Sequence, residues 1–145
     1  MRSLWVVTFL AFVTSAFTAF LAETFLAERI AIIGTAVGFQ LSLNPGIAFG
    51  ISFAPLLQML AIVAALVAVI WIAVRSLHTR LQDTAFGLII GGGLANIHDR
   101  LTDGVVTDFF QVGSFPIFNV ADSCITIGVL LLLLGIFARR NRGKL

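Results

Sequence analysis

The sequence predicts an all-α integral membrane protein: four transmembrane helices, with a small β-rich extracytoplasmic segment between the first and second helices. Three observations predict it. The 145 residues are 59% hydrophobic and only 11% charged, whereas a soluble domain carries about 25% charged residues. Uncharged apolar runs long enough to cross the ~30 Å hydrocarbon core recur along the chain. The interval after the first run has a different texture, rich in Gly, Ser, Asn and Pro, with apolar residues in strand period. At this length a single membrane-embedded domain, residues 1–145, is expected.

The first span is Ser3 to Ala22, 20 residues without a charge, bounded by Arg2 and Glu23. It is longer than the apolar core of a signal peptide, so it reads as a retained helix. In the next interval Phe39, Leu41 and Leu43 alternate with Gln40, Ser42 and Asn44. That is the period of a strand. Asn44-Pro45-Gly46 is a turn signal. This interval is read as a small sheet or hairpin on the membrane surface.

Residues 56–74 form the second span, followed by Arg75, His78 and Arg80. The third, residues 84–100, works only if the helix continues past Asp99 and Arg100 with those side chains turned into the protein. Gly87, Gly91 and Ala95 recur every four residues, a row that lets another helix approach closely. Asn96, Asp99 and Arg100 share one helix face. Val105 to Phe110 is β-prone and reads as a short extended segment or loop. The fourth span is 119–138, with Asn119 or a neighbour capping its first turn.

Lys and Arg counts set the orientation. Arg2, Arg75, Arg80, Arg139, Arg140, Arg142 and Lys144 fall on one side of a four-span protein, and Arg29 and Arg100 on the other. Both termini are therefore expected in the cytoplasm. The basic residues serve as orientation signals, so the net charge of +2 does not point to nucleic acid. Cys124 is the single cysteine, which excludes an internal disulfide, and it reads as a buried thiol. His98 beside Asp99 lacks a second ligand at helical spacing, so no metal site is expected, nor any cofactor. The Gly91–Gly93 triplet lacks the Lys-Ser/Thr of a phosphate loop and reads as helix packing.

The unusual stretch is 91–123, GGGLANIHDRLTDGVVTDFFQVGSFPIFNVADS. It places Asp99, Asp103, Asp108 and Asp122 in an apolar setting, where a charge at mid-bilayer costs roughly 2.5–3.5 kcal/mol. Asp103, followed by Gly, reads as a solvated turn residue. The acids otherwise suit either a catalytic pair or the proton path of a small ion- or proton-coupled transporter. A transporter needs ionisable groups through the midplane, and the first two spans hold none. A non-catalytic membrane scaffold is a third reading, and it would tolerate replacing Asp108 or Asp122 with Asn.

Three stretches, NPGIAFG (44–50), GGGLANIHDRLTDGVVTDFF (91–110) and FPIFNVADSCITIG (115–128), resemble the motifs of lipoprotein signal peptidase (signal peptidase II). The resemblance covers nearly the whole chain. It implies an aspartic endopeptidase of the bacterial inner membrane, active at the outer face. Such an enzyme removes the signal peptide from diacylglyceryl-modified prolipoproteins, cutting N-terminal to the lipidated cysteine. The implied catalytic pair is Asp108 and Asp122. The implied substrate-binding residues are Asn44, Asn96, Arg100 and Asn119, with Asp99 in support. The implied partners are the lipid-modified prolipoprotein, membrane lipid and globomycin-type inhibitors. The chain departs from the family at the end of the first span. An Asp and a Lys four apart are usual there, and this sequence has Glu23 and Ala27.

Two carboxyls suffice for peptide hydrolysis when they share a proton. Like charges about 3 Å apart cannot both ionise easily, so their pKa values split. The ionised member takes a proton from water and the other donates one to the scissile carbonyl.

Overall fold

The computed structural model describes residues 1–46, 54–75 and 79–142. Residues 47–50 of the first motif, His78 and Lys144 lie outside the described residues. Four long helices form: α1 (Arg2–Phe25), α2 (Pro55–Arg75), α3 (Arg80–Asp103) and α4 (Val120–Arg142). Three of them, α1, α2 and α4, are long and apolar enough to cross a membrane. Their large side chains, such as Phe9, Phe17, Leu60, Val67 and Leu134, point outward and are more than half exposed. That is the surface of a protein solvated by lipid.

α3 is the least apolar of the four and packs against all three others. Its ends are set locally. Thr79 and Gln82 form a reciprocal capping box, with Thr79 Oγ1 accepting from the Gln82 amide and Gln82 Oε1 accepting from the Thr79 amide. Gly104 ends the helix in the left-handed conformation, φ 87°. The small residues expected at a helix contact make two. Gly87 and Gly91 face α1, where a Cβ on Gly91 would lie 2.5 Å from the Thr8 carbonyl oxygen. Gly92 faces α4, where a Cβ would lie 2.5 Å from the Ala121 carbonyl oxygen. Both obstacles are backbone, so neither moves aside cheaply. Gly91→Ala should therefore destabilise the bundle by about 1–3 kcal/mol, the usual range for overpacking. Gly135→Ala, whose Cβ meets only a side-chain atom at 3.8 Å, should be neutral. Thermal unfolding of the two variants in one detergent checks this, and equal Tm values would refute the tight contact.

The β-rich interval is larger than a hairpin. β1 (Ile30–Ile33) and β2 (Val37–Asn44) lie between α1 and α2 as expected. A third strand, β3 (Val106–Val112), joins them from between α3 and α4, in the antiparallel order β1-β2-β3. The sheet is thus not confined to the segment between the first and second helices. Val105 to Phe110, ambiguous in sequence, becomes a strand because β2 offers it a partner edge. One face of the sheet buries Phe109 against Ala22 and Leu26 at the end of α1.

Candidate active site

The site grows from three local structures. The first is β3 itself. Strand alternation sends Thr107 and Phe109 to one face and Asp108 to the other. Ser42 of β2 lies opposite Asp108, so Asn44, two residues on, projects from the same face. Its Nδ2 donates to Asp108 Oδ2 at 2.9 Å. Asn44 Oδ1 accepts from the Gly46 amide at 2.8 Å, so the Asn-Pro-Gly turn orients the amide group that meets the carboxylate.

The second is the start of α4. Phe118 pairs with Phe110 as an isolated antiparallel bridge, which clips the chain beside β3 just before the helix begins. Asn119 is then the cap. Its Oδ1 accepts from the Asp122 amide at 2.8 Å, and the Asn119 amide points at Asp122 Oδ2 at 3.4 Å. This is the geometry of a capping box, built here from Asn and Asp. Asn119 is buried, and its Nδ2 donates to Asp108 Oδ1 at 2.9 Å and to Asn96 Oδ1 at 3.2 Å. One side chain therefore starts the helix that carries Asp122 and holds Asp108.

The third is the sheet end of α3. Asn96 Nδ2 donates to Asp122 Oδ1 at 2.9 Å. Arg100 Nη1 donates to the Asn96 carbonyl at 3.3 Å. Asp99 turns to the sheet instead, where its Oδ2 accepts from the Thr107 amide at 2.6 Å. Spacing alone put Asn96, Asp99 and Arg100 on one face, but Asp99 and Asn96 hold different elements.

Asp108 and Asp122 line one groove of about 560 Å³, with Asn44, Phe118 and Ile127 among its walls. Asp108 is only 2% exposed. Burial pushes its carboxyl up to about 6, and the Asp122 charge pushes the same way. The amides of Asn44 and Asn119 and the Arg100 guanidinium pull it down, without cancelling the burial.

Thr107 was not legible as a site residue. It is fully buried, and its hydroxyl donates to Glu23 Oε1 while its amide donates to Asp99. It ties α1 and α3 to the strand that carries Asp108. Glu23, at the acidic position where the chain departs from the family pattern, is thus engaged with β3. Arg29 is occupied elsewhere, donating to Gln111 Oε1 at 2.6 Å and to the Gly34 carbonyl. Asp103 is exposed and accepts from the Val105 amide in a turn, as its Asp-Gly sequence suggests. Cys124 is half-buried.

Comparison with known proteins bears on the family and the fold. The family model described as signal peptidase (SPase) II matches residues 6–138. The lipoprotein signal peptidase of Chlorobium luteolum is 40% identical over 135 residues, covering 81% of this chain and 81% of that protein. The lipoprotein signal peptidase of Shouchella clausii is 39% identical over 122 residues, covering 82% and 81%. A bacterial membrane enzyme solved by the in meso method at 2.3 Å resolution superposes with a TM-score of 0.87 at 23% identity. The match covers 98% of this chain and 92% of that one. A second such structure, at 1.9 Å resolution, gives 0.84 at 24% identity, covering 94% and 93%. At those identities the structures speak for the fold.

Proposed function

This chain belongs to the signal peptidase II family, and on that premise we propose that it is a membrane aspartic endopeptidase with Asp108 and Asp122 as its catalytic pair. Its substrates are diacylglyceryl-modified prolipoproteins, cut N-terminal to the lipidated cysteine. The observation that carries this reading is the asparagine clamp: two carboxylates on different elements line one groove and are held by Asn119 and its neighbours. The family match does not favour the ion- or proton-coupled transporter.

In the proposed reaction a water sits between the two carboxyls. The ionised one takes a proton from it as its oxygen attacks the scissile carbonyl carbon. The protonated one donates to the carbonyl oxygen. The tetrahedral intermediate collapses, the C–N bond breaks, and the nitrogen leaves with a proton returned by the pair. In the free enzyme the shared proton rests toward Asp108, the carboxyl that burial raises, although the titration belongs to the pair. Arg100 and the asparagines orient the peptide and the carboxyls. The apolar part of the groove, with Phe115, Ile117 and Ile127, receives apolar substrate residues.

α3 is proposed as the fourth span, its polar end screened by α1, α2 and α4. Residues 1–145 then form one domain of the inner membrane, with both termini cytoplasmic and the sheet at the outer face. The substrate's acyl chains remain in lipid while its peptide bond reaches the pair. Globomycin-type inhibitors are expected to occupy the same groove.

The test is cleavage of a diacylglyceryl-modified prolipoprotein, and of its unmodified precursor, by purified protein. Cleavage of the first alone is expected, and cleavage of neither by folded protein would sink the reading. The pH profile is a second check. The alkaline limb of kcat/KM should lie near the raised Asp108 value of about 6, with activity falling as the pair loses its shared proton. Asn44 favours the ionised form of Asp108, so Asn44→Ala should move that limb to higher pH. A limb that stays in place would remove Asn44 from the pair's environment.

A further inference from the structure

A second cleft, of about 170 Å³, lies between α1 and α3. It is not the substrate groove. Small residues make the gap: Ala16 and Ala19 on α1 face Ala95 on α3. Its mouth is polar, with Glu23, Thr102 and Asp103 exposed at the sheet end of the bundle. Its floor is Ser15, 4% exposed, whose hydroxyl lies beside the Cys124 thiol and makes no hydrogen bond of ordinary geometry. Its inner wall includes Asn96 and Asn119, the two side chains that hold Asp122 and Asp108 from the far side.

A buried hydroxyl whose nearest partner is a weakly hydrogen-bonding thiol costs free energy unless water reaches it. The cleft carries polar groups at its mouth, floor and inner wall among apolar ones and has room for several waters, at roughly 30 Å³ each. The hydroxyl, amide and carboxylate groups of the lining, from Ser15, Asn96, Asn119, Glu23 and Asp103, are hydrogen-bond partners for water. Hydrolysis consumes one water per bond. In the proposed reaction peptide fills the groove, and so stands between the carboxyl pair and any water arriving from that side.

We propose that the α1–α3 cleft is the water supply of the peptidase, delivering the hydrolytic water past Asn96 and Asn119 while substrate occupies the groove. This rests on the peptidase reading above. Water enters between Glu23 and Asp103, is held at Ser15 and along the asparagine wall, and reaches the carboxyl pair from behind the substrate.

The experiment fills the cleft and leaves the groove alone. Ala19→Leu and, separately, Ala16→Leu place an apolar side chain in the gap. Thr18→Leu, on the other side of α1 in the apolar hollow against Phe109, is the control. Cleavage of the lipid-modified precursor is measured for each folded variant, with kcat, KM and the pH profile. The expected result is a fall in kcat of about tenfold or more, with KM within about twofold, since only the reaction step is starved. The alkaline limb stays in place, and Thr18→Leu behaves as wild type. Wild-type kcat in either cleft-filling variant that folds overturns the proposal. So does a fall in kcat accompanied by a displaced limb, because that reports a disturbed asparagine clamp. Should one variant fail to fold, the other decides, and Ser15→Ala, which removes the hydroxyl without adding volume at this buried position, predicts a smaller loss of the same kind. Failure of wild type to cleave would instead count against the peptidase reading itself.

Discussion

Asp108→Asn is expected to abolish cleavage while leaving a folded protein. Loss of a general acid or base costs typically about 10²–10⁴-fold, and the two carboxyls act as a unit, so Asp122→Asn should cost about as much. The double variant should be little worse than either single one, as is usual for groups that share one step. Folding should survive for a specific reason. The Asp108 carboxyl is raised to about 6 in the folded protein. Its contribution to stability is therefore full below the ordinary carboxylate range and is lost as pH rises through about 6. At neutral pH the neutral amide of Asn relieves that burden. It also loses one acceptor, since both Asp108 oxygens receive amide donors. A Tm close to wild type with no detectable product is the expected pair of results. Normal turnover by either single variant would remove the two-carboxyl mechanism.

Asn119→Ala is expected to lose activity and stability together. The cap of α4 disappears, at a cost of about 0.5–2 kcal/mol. Asp108 Oδ1 and Asn96 Oδ1 each lose the donor they share, and a buried group left unsatisfied costs about 1–3 kcal/mol. Asn119→Asp separates the two roles. Its carboxylate still caps Asp122, but it gives Asp108 no donor and adds a like charge beside it. Only the cap's share of the lost stability should return in Asn119→Asp, because the donor to Asp108 and Asn96 is still missing and the new carboxylate is buried. Activity should not return. Thermal unfolding and kcat/KM of both variants decide the matter. Activity in Asn119→Ala near that of wild type would reduce Asn119 to a helix cap.

The sequence carried the parts of this protein whose causes are local. A long uncharged run needs its backbone hydrogen bonds closed internally once it is in lipid, so α1, α2 and α4 follow from composition and length. The alternation of Phe39 through Asn44 marks β2, because strand period does not depend on what the strand pairs with. The capping role of Asn119 follows from its place before Val120, and Asp103-Gly104 forms the turn its residues suggest. The resemblance named the family because its motifs are short, ordered and rich in residues that apolar segments otherwise avoid.

Other features depended on contacts between distant parts of the chain. β3 is a strand because β2 presents an edge to it. Asn44 reaches Asp108 across 64 residues of sequence because that pairing brings both side chains to one face. Thr107 joins Glu23, Asp99 and β3, yet a threonine in a β-prone run gives no sign of such a role. Asn96 and Asp99, three apart on α3, part company because α4 stands beside one and the sheet beside the other. Sequence by itself determined that the chain lives in a membrane, where its helices run, and which family it resembles. Tertiary structure decided which side chain holds which carboxylate and how deeply Asp108 is buried, because electrostatics and hydrogen bonding depend on distance in space and only the packed helices and paired strands set those distances.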